Sequence, residues 1–108
     1  MKTEHEIMQE ARDLIANPEH WTQGFSAVSA NGAHVMPSAE CAVRFCMYGA
    51  VCRAAAGHSI SRELLATELR TTLHGPCIAE YNDAPHRKHE DVLAMMDLTV
   101  ARLKAAGR

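Results

Sequence analysis

The feature that most constrains this chain is an almost uncharged stretch of sequence, residues 38–56. Only Glu40, Arg44 and Arg53 carry charge there, and Gly49 is its only glycine. At about 100° per residue, the apolar side chains would cover most of the circumference of a helix. Such a helix needs neighbours on several sides, so the stretch predicts a central helix buried in the core.

Local signals mark both ends of this predicted helix. Ser38 is a suitable N-cap, and Gly57 lies where a helix commonly ends. The stretch is too short and carries too many arginines to cross a bilayer. The charged N-terminus also lacks the apolar segment of a secretory signal. We therefore expect a cytoplasmic protein with no membrane partner.

Three further helices and one short helical turn are predicted around the central helix. Thr3 opens a capping box for the first helix, and Ser61 can cap a helix that ends near Gly75. A short helical turn over residues 76–81 then precedes a last helix from about 87 to 105. These helices would enclose the central one.

The segment 22–36 has a different character from the helices. Asn31 and Gly32 favour the positive φ angles of a type I′ turn, and short, partly apolar runs flank them. A ribbon this small is stable only when it packs on something else, and Trp21 at its entrance is the natural anchor. We expect a short β-hairpin or an irregular segment lying over the helices.

Together these elements predict a mainly α fold. It is a single domain, residues 1–108, with four main helices around the buried central helix 38–56 and the hairpin or irregular segment at 22–36. A chain of 108 residues can bury one modest core. The formal charge of −2 gives no net attraction for a phosphate backbone, which argues against nucleic acid as a partner.

The chain has four cysteines, which raises the question of a zinc site or a disulfide. Cys41, Cys46 and Cys52 lie on the predicted central helix at spacings of five and six. These spacings fit neither the close pair of a zinc knuckle nor the geometry of a disulfide within one helix. Small buried side chains in a reducing compartment are the favoured interpretation. A disulfide from Cys77 to one helix cysteine is left open.

The segment Cys46-x-x-Gly49-Ala50 is the first candidate for a functional site. A glycine inside a helix costs about 1 kcal/mol relative to alanine, which indicates that something approaches the backbone closely there. The structural interpretation, which we favour, is a crossing between two helices. The functional one is a ligand edge or a catalytic thiol, in which Cys46 or Cys77 would act with a histidine.

The segment Tyr81-Asn82-Asp83 is the second candidate. Asn and Asp before Ala-Pro are typical of turns and helix caps, and Asp83 could cap the last helix. In the functional interpretation, Asn82 and Asp83 are polar contacts in a pocket beside Tyr81 and Trp21, suited to a base or a ribose. The structural interpretation is favoured here as well.

A basic tetrad, His86-Arg87-Lys88-His89, is the third candidate. His86 and His89 could bind a divalent metal together with a carboxylate, but no distant fourth ligand is evident, so we predict no metal and no cofactor. Anion binding at this predicted helix start is better supported than metal binding. The simplest interpretation is a solvated helix end.

Taken in order, these segments resemble a family of small bacterial and bacteriophage proteins classed as a domain of unknown function. The shared pattern is a Trp, then Cys-x-x-Gly-Ala, then an aromatic residue followed by Asn-Asp, over roughly residues 20–103. Two positions depart from it: Tyr81 replaces the usual Trp, and Lys88 replaces a capping Thr. The resemblance implies a phage or prophage accessory protein acting in bacterial cytoplasm, and it implies no reaction.

The leading hypothesis is a small non-enzymatic binding protein of phage or prophage type, with an anti-defence role. It would bind a host protein or sequester a nucleotide-like ligand between residues 19–36 and the turn 81–89. The predicted contact residues are Trp21, Tyr81, Asn82, Asp83, His86 and Arg87. The alternative is a thiol-dependent hydrolase or transferase that uses Cys46 or Cys77. A third interpretation is a homodimer formed through Met and Ala positions of the last helix.

Overall fold

The computed structural model describes residues 2–108, a compact and mainly helical fold with a small two-stranded antiparallel sheet. In chain order the elements are α1 (Glu4–Leu14), a 3₁₀ turn (Pro18–His20), β1 (Ala27–Ser29), β2 (Ala42–Phe45), α2 (Met47–Ala56), α3 (Arg62–Leu73), α4 (Ile78–Asp83) and α5 (His89–Ala105). The predicted helical class is therefore confirmed at this level.

The core lies where α1, α2, α3 and α5 meet. Helix α1 packs against both α2 and α5, α3 packs against the same two helices, and the short α4 bridges α2 and α3. The largest fully buried apolar side chains are Ile7, Met8, Ile15, Met47, Val51, Leu65, Leu69, Val92, Met96 and Leu103. Each helix buries one face, as its apolar periodicity predicts.

Helix boundaries follow the sequence signals at most ends. Thr3 and Glu6 form the predicted capping box, in which the Glu6 N–H donates to Thr3 Oγ1 and the Thr3 N–H donates to Glu6 Oε1. Ser61 caps α3 as predicted. The end of α3 differs, because His74, and not Gly75, adopts the left-handed conformation, with φ of 54°.

The prediction of one helix over residues 38–56 is wrong in its first half. Residues 42–45 form β2, which pairs antiparallel with β1, and α2 begins only at Met47. The N-cap is Cys46, not Ser38, and its Sγ accepts the N–H of Gly49 at 3.3 Å. Pairing with another strand has overridden the helical pattern of this segment.

The close approach predicted at Gly49 is confirmed, although the neighbour is not a helix. The Ser26 carbonyl oxygen accepts the Cys46 N–H at 3.2 Å and lies against the first turn of α2. A Cβ at position 49 would stand only 1.8 Å from that oxygen. Glycine is therefore required for the backbone at Ser26, just before β1, to approach α2 this closely.

The segment 22–36 folds back on itself, but it is only partly the predicted hairpin. The Ser29 N–H donates to Ala33 O and an isolated bridge joins Val28 to His34, whereas the main partner of β1 is β2. The turn is also not type I′, because Gly32 has a positive φ of 83° and Asn31 does not.

The start of α5 is capped differently from the prediction. The Lys88 N–H donates to Asp91 Oδ2 at 3.0 Å, so the cap comes from inside the helix itself. Asp83 does not cap α5, because its Oδ1 accepts from the Gly24 N–H instead. The short helix α4 begins at Ile78. The prediction had placed its start two residues earlier, at Pro76.

Charged side chains join both termini to α3. Arg108 donates to both carboxylate oxygens of Glu4, at 2.6 and 2.8 Å, and lies 2.9 Å from Glu68. Arg102 contacts the other oxygen of Glu68 at 3.0 Å. The two arginines hold the pKa of Glu68 below its ordinary value, since hydrogen bonds to the carboxylate favour its charged form.

All four cysteines are free, so the disulfide left open for Cys77 does not form. Cys46 is buried and Cys52 is half-buried, whereas Cys41 and Cys77 are exposed. The prediction of buried cysteines therefore holds for Cys46 but is wrong for the two exposed ones. Among residues 2–108, no helix combines the length and the apolar character needed to cross a bilayer.

Candidate functional site

Three of the predicted contact residues, Trp21, Asn82 and Asp83, meet at the side chain of Asn82, which is completely buried. Its Oδ1 accepts from Trp21 Nε1 at 2.7 Å and from the Met47 N–H at 3.1 Å. Its Nδ2 donates to Thr22 O at 3.0 Å and to Asp83 Oδ1 at 2.8 Å. The amide thus uses both donors and both acceptor positions within the protein.

Residues next to Trp21 complete this attachment to α4. Gln23 Nε2 donates to Asn82 O at 2.8 Å and to Ala84 O at 3.2 Å. Asp83 Oδ1 receives the Gly24 N–H at 2.9 Å in addition to the Asn82 amide. Segment 21–24 is therefore fixed to the end of α4 by half-buried and exposed hydrogen bonds, and it forms a well-anchored border for any site beside it.

Trp21 is the residue through which this buried network reaches the surface. Its indole is half-buried and lies 5.6 Å, centroid to centroid, from the His89 ring. His89 in turn contacts Ile15 O through Nε2 at 2.6 Å. With that nitrogen so engaged, His89 supports the indole. Among residues 2–108, no three metal-ligating side chains are grouped to hold an ion.

An open groove of about 590 Å³ has Trp21 in its wall. We call it the Trp21 groove; its walls are Pro18, Glu19, His20, Trp21, Ala30, Val43 and Arg44. Arg44 stands on β2 opposite Val28 and is exposed. Within residues 2–108, neither the Arg44 guanidinium nor the His20 imidazole has an ion-pair or hydrogen-bond partner. The groove thus combines an aromatic wall with an unpaired cation.

The remaining predicted residues lie at the turn between α4 and α5. The Arg87 guanidinium stacks over the Tyr81 ring at 3.5 Å, and its Nε donates to Tyr81 O at 2.8 Å. These contacts fix the plane of the guanidinium, while its two terminal nitrogens have no partner in the part of the chain described. His86 beside it is exposed.

The thiol of Cys46 has the environment of a structural residue. Burial raises the pKa of Cys46, because a thiolate is poorly solvated there, and the Gly49 N–H lowers it only in part. A reactive cysteine needs the opposite environment, exposed and beside a cation. Throughout residues 2–108, no histidine nitrogen is hydrogen-bonded to Cys46 or Cys77.

A comparison with models of protein families identifies the family of this chain. Residues 1–102 match the model described as Family of unknown function (DUF6197). The chain belongs to this family. The resemblance to a domain of unknown function is therefore confirmed. A search of curated proteins found no match, and neither did a search of solved structures.

Sequence reasoning missed Arg44, His20 and Gln23. Arg44 was interpreted only as a charged residue within the predicted central helix. Its position on β2, in the same groove as Trp21, was therefore not predicted. The run Val43-Arg44-Phe45 has the β-branched and aromatic character of a strand, and that was the available signal. His20 follows Asn17-Pro18, a turn signal that also brings it next to Trp21.

Proposed function

We propose that this chain is a non-enzymatic binding protein that takes an anionic, aromatic ligand of nucleotide type in the Trp21 groove. The observation that carries the proposal is the unpaired Arg44 guanidinium in a groove walled by the indole. Ligand sites of about 300–1,000 Å³ commonly combine an aromatic wall with a few polar groups, and this groove falls in that range.

Each part of such a ligand finds a suited group in the groove. A planar base can stack on or beside the indole. The His89 ring, 5.6 Å from the indole, helps to hold the indole in place. A phosphate can bond to Arg44, whose planar fork suits phosphate oxygens, with His20 as a second donor. Glu19 in the same groove suits an exocyclic amine of the base.

Arg87 offers a second anion contact at the turn 81–89. Its terminal nitrogens are free and its plane is held by Tyr81, so little ordering is needed when a phosphate or carboxylate binds. Asn82 and Asp83 act in this proposal through the fold. They hold Trp21 and Gly24 in place and leave contact with the ligand to the residues around them.

Fluorescence titration tests this proposal directly, because Trp21 is the only tryptophan. We expect AMP and GMP to change its emission, with Arg44→Gln weakening the affinity at least about tenfold through loss of a charge-assisted bond. Arg62→Gln, which changes a cation outside this groove, is the matched control. An unchanged emission in wild type up to about 1 mM of either nucleotide would refute the proposal.

A host protein is the second candidate occupant. Phe25 and Val43 are large apolar side chains with 45% and 40% exposure, and Val43 also lines the Trp21 groove. Exposed apolar side chains beside polar ones are typical of protein contacts. Capture of one bacterial protein by wild type and not by Val43→Lys would favour this candidate. Equal capture by both would exclude Val43 from the contact.

The setting belongs to the same proposal. We infer a phage or prophage accessory protein that acts in the bacterial cytoplasm, with an anti-defence role, as the Trp, Cys-x-x-Gly-Ala and aromatic-Asn-Asp pattern suggests. Defence or anti-defence genes next to the coding gene would support this setting. The thiol-dependent enzyme using Cys46 or Cys77 is the weaker alternative, because Cys46 is buried with a raised pKa. Cys77 is exposed, but within residues 2–108 no histidine is hydrogen-bonded to it.

A further inference from the structure

A second groove lies beside Tyr48, in the first turn of α2. We call it the Tyr48 groove. It encloses about 390 Å³, and its walls are Ser26, Met36, Pro37, Ser38, Tyr48, Cys52, Ala56 and Arg62. It shares no wall residue with the Trp21 groove. The two grooves can therefore be tested separately.

Most of the Tyr48 groove is apolar or uncharged. Met36 is the most exposed large apolar side chain described, at 69%, and Pro37 and Ala56 extend the same wall. Burial raises the pKa values of both Cys52 and Tyr48, so both are neutral near neutral pH. An exposed methionine on the rim of an apolar groove is adaptable in shape and suits a flat ring.

The Tyr48 groove contains one cation that has almost no partner. Arg62 forms only a long contact of 3.9 Å with Glu63, its neighbour in sequence, and both side chains are more than 60% exposed. Such an exposed pair contributes little, so the guanidinium is available to another anion. Glu63 Oε1, the oxygen nearest to Arg62, also accepts the Tyr48 hydroxyl at 3.3 Å, so the same oxygen is shared between the phenol and the guanidinium.

We infer that the Tyr48 groove binds a small molecule with a flat apolar body and a single carboxylate. The body lies against Met36, Pro37 and the Tyr48 ring, and the carboxylate pairs with Arg62. This assignment rests on charge complementarity between one anion and Arg62, which is only weakly paired and is the one charged residue among the groove's walls. It does not depend on the nucleotide proposal, because the Trp21 groove uses other residues.

The test uses two probes of equal shape, 4-phenylbutyrate and its neutral amide, 4-phenylbutyramide. Calorimetric titration should show the carboxylate binding about tenfold more tightly than the amide, the factor expected for one charge-assisted bond. Arg62→Gln should abolish that difference, whereas Arg44→Gln should leave it unchanged. Equal affinities for the two probes in wild type would overturn the inference, as would an unchanged preference in Arg62→Gln.

Cys52 supplies an independent readout of where the probe binds. A variant with Cys41→Ser and Cys77→Ser removes the two exposed thiols and leaves Cys52 more accessible than the buried Cys46. Bound 4-phenylbutyrate should slow alkylation of Cys52 in proportion to occupancy, because the thiol lines the groove. Full occupancy by calorimetry with an unchanged alkylation rate would place the probe elsewhere and refute the inference.

Discussion

Replacing Gly49 by alanine is the sharpest test of how the small sheet docks on α2. The added Cβ would lie 1.8 Å from the Ser26 carbonyl oxygen and 2.7 Å from its carbon. Real Cβ atoms essentially never approach other atoms closer than 3.0 Å. Both atoms are backbone, so a side-chain rotation cannot relieve the clash, and the backbone at Ser26 must move away from the helix.

The energetic cost follows from that movement. Separating the two backbones breaks the buried bond from the Cys46 N–H to Ser26 O, which costs about 1–3 kcal/mol when the donor stays unsatisfied. Forcing a methyl group into a packed contact adds about 1–3 kcal/mol. Better helix propensity returns about 1 kcal/mol. We therefore expect Gly49→Ala to lower the free energy of unfolding by about 3 kcal/mol.

Urea denaturation followed by circular dichroism measures this change. Gly57→Ala is the matched control, because it lies at the other end of α2 with φ of −87° and nothing within 4 Å of the added Cβ. It should be neutral, or stabilising by less than about 1 kcal/mol. If Gly49→Ala loses less than about 0.5 kcal/mol, the close approach does not constrain this position and the reasoning fails.

Three further predictions concern the buried amide, the charge cluster and the thiols. Asn82→Ala leaves two N–H donors without an acceptor, so urea denaturation should show a loss of about 3 kcal/mol. Glu68→Gln should cost up to about 1 kcal/mol at neutral pH. That cost should shrink as the pH falls below 4.5. The lowered pKa of Glu68 means that its ionised carboxylate stabilises the fold, and this contribution is lost as the carboxylate becomes protonated. Mass spectrometry after brief alkylation should find Cys41 and Cys77 modified and Cys46 protected.

Each of these predictions has a control and a contrary result. Asn17→Ala removes an exposed asparagine cap and should cost about 1 kcal/mol, so an equal loss at both asparagines would contradict the role given to Asn82. A Glu68→Gln cost that is constant from neutral pH down to below 4.5 would show that its ion pairs contribute nothing. Alkylation of Cys46 before the exposed thiols would remove the argument against a thiol enzyme.

The sequence predicted the helices well because their signals are local. The Thr3 capping box, the Ser61 cap and the apolar periodicity of α1, α3 and α5 each lie within one or two turns of chain. Gly49 was also informative, since a glycine inside a helix costs stability unless another backbone comes close. Its neighbour, the Ser26 carbonyl, could not be identified from the sequence.

The first half of the predicted central helix failed for a non-local reason. Ala42–Phe45 is a strand because β1, about fifteen residues earlier, supplies its hydrogen-bond partners. The apolar periodicity of a segment contains no information about a strand partner that is distant in the sequence. The error also hid Arg44, so the Trp21 groove was predicted only through Trp21 and the segment 19–36.

The candidate site was predicted in only some of its members, and their arrangement was not predicted. Trp21, Asn82 and Asp83 were expected together, and they do meet. Three of the four partners of the Asn82 amide, Trp21 Nε1, the Met47 N–H and Thr22 O, lie 61, 35 and 60 residues away in the sequence. Short motifs cannot supply that information, so an expected ligand contact is here a set of internal hydrogen bonds.

The shared use of the Asn82 oxygen has a consequence for recognition. The same atom accepts from the Trp21 indole and from the Met47 N–H in the first turn of α2. A rotation of the indole toward a ligand would break its hydrogen bond to Asn82. The ring is therefore held in its orientation before a ligand binds. Selectivity at this surface should therefore depend on the preformed shape of the site. Ligand binding should carry a small entropic cost and cause little conformational change elsewhere in the protein.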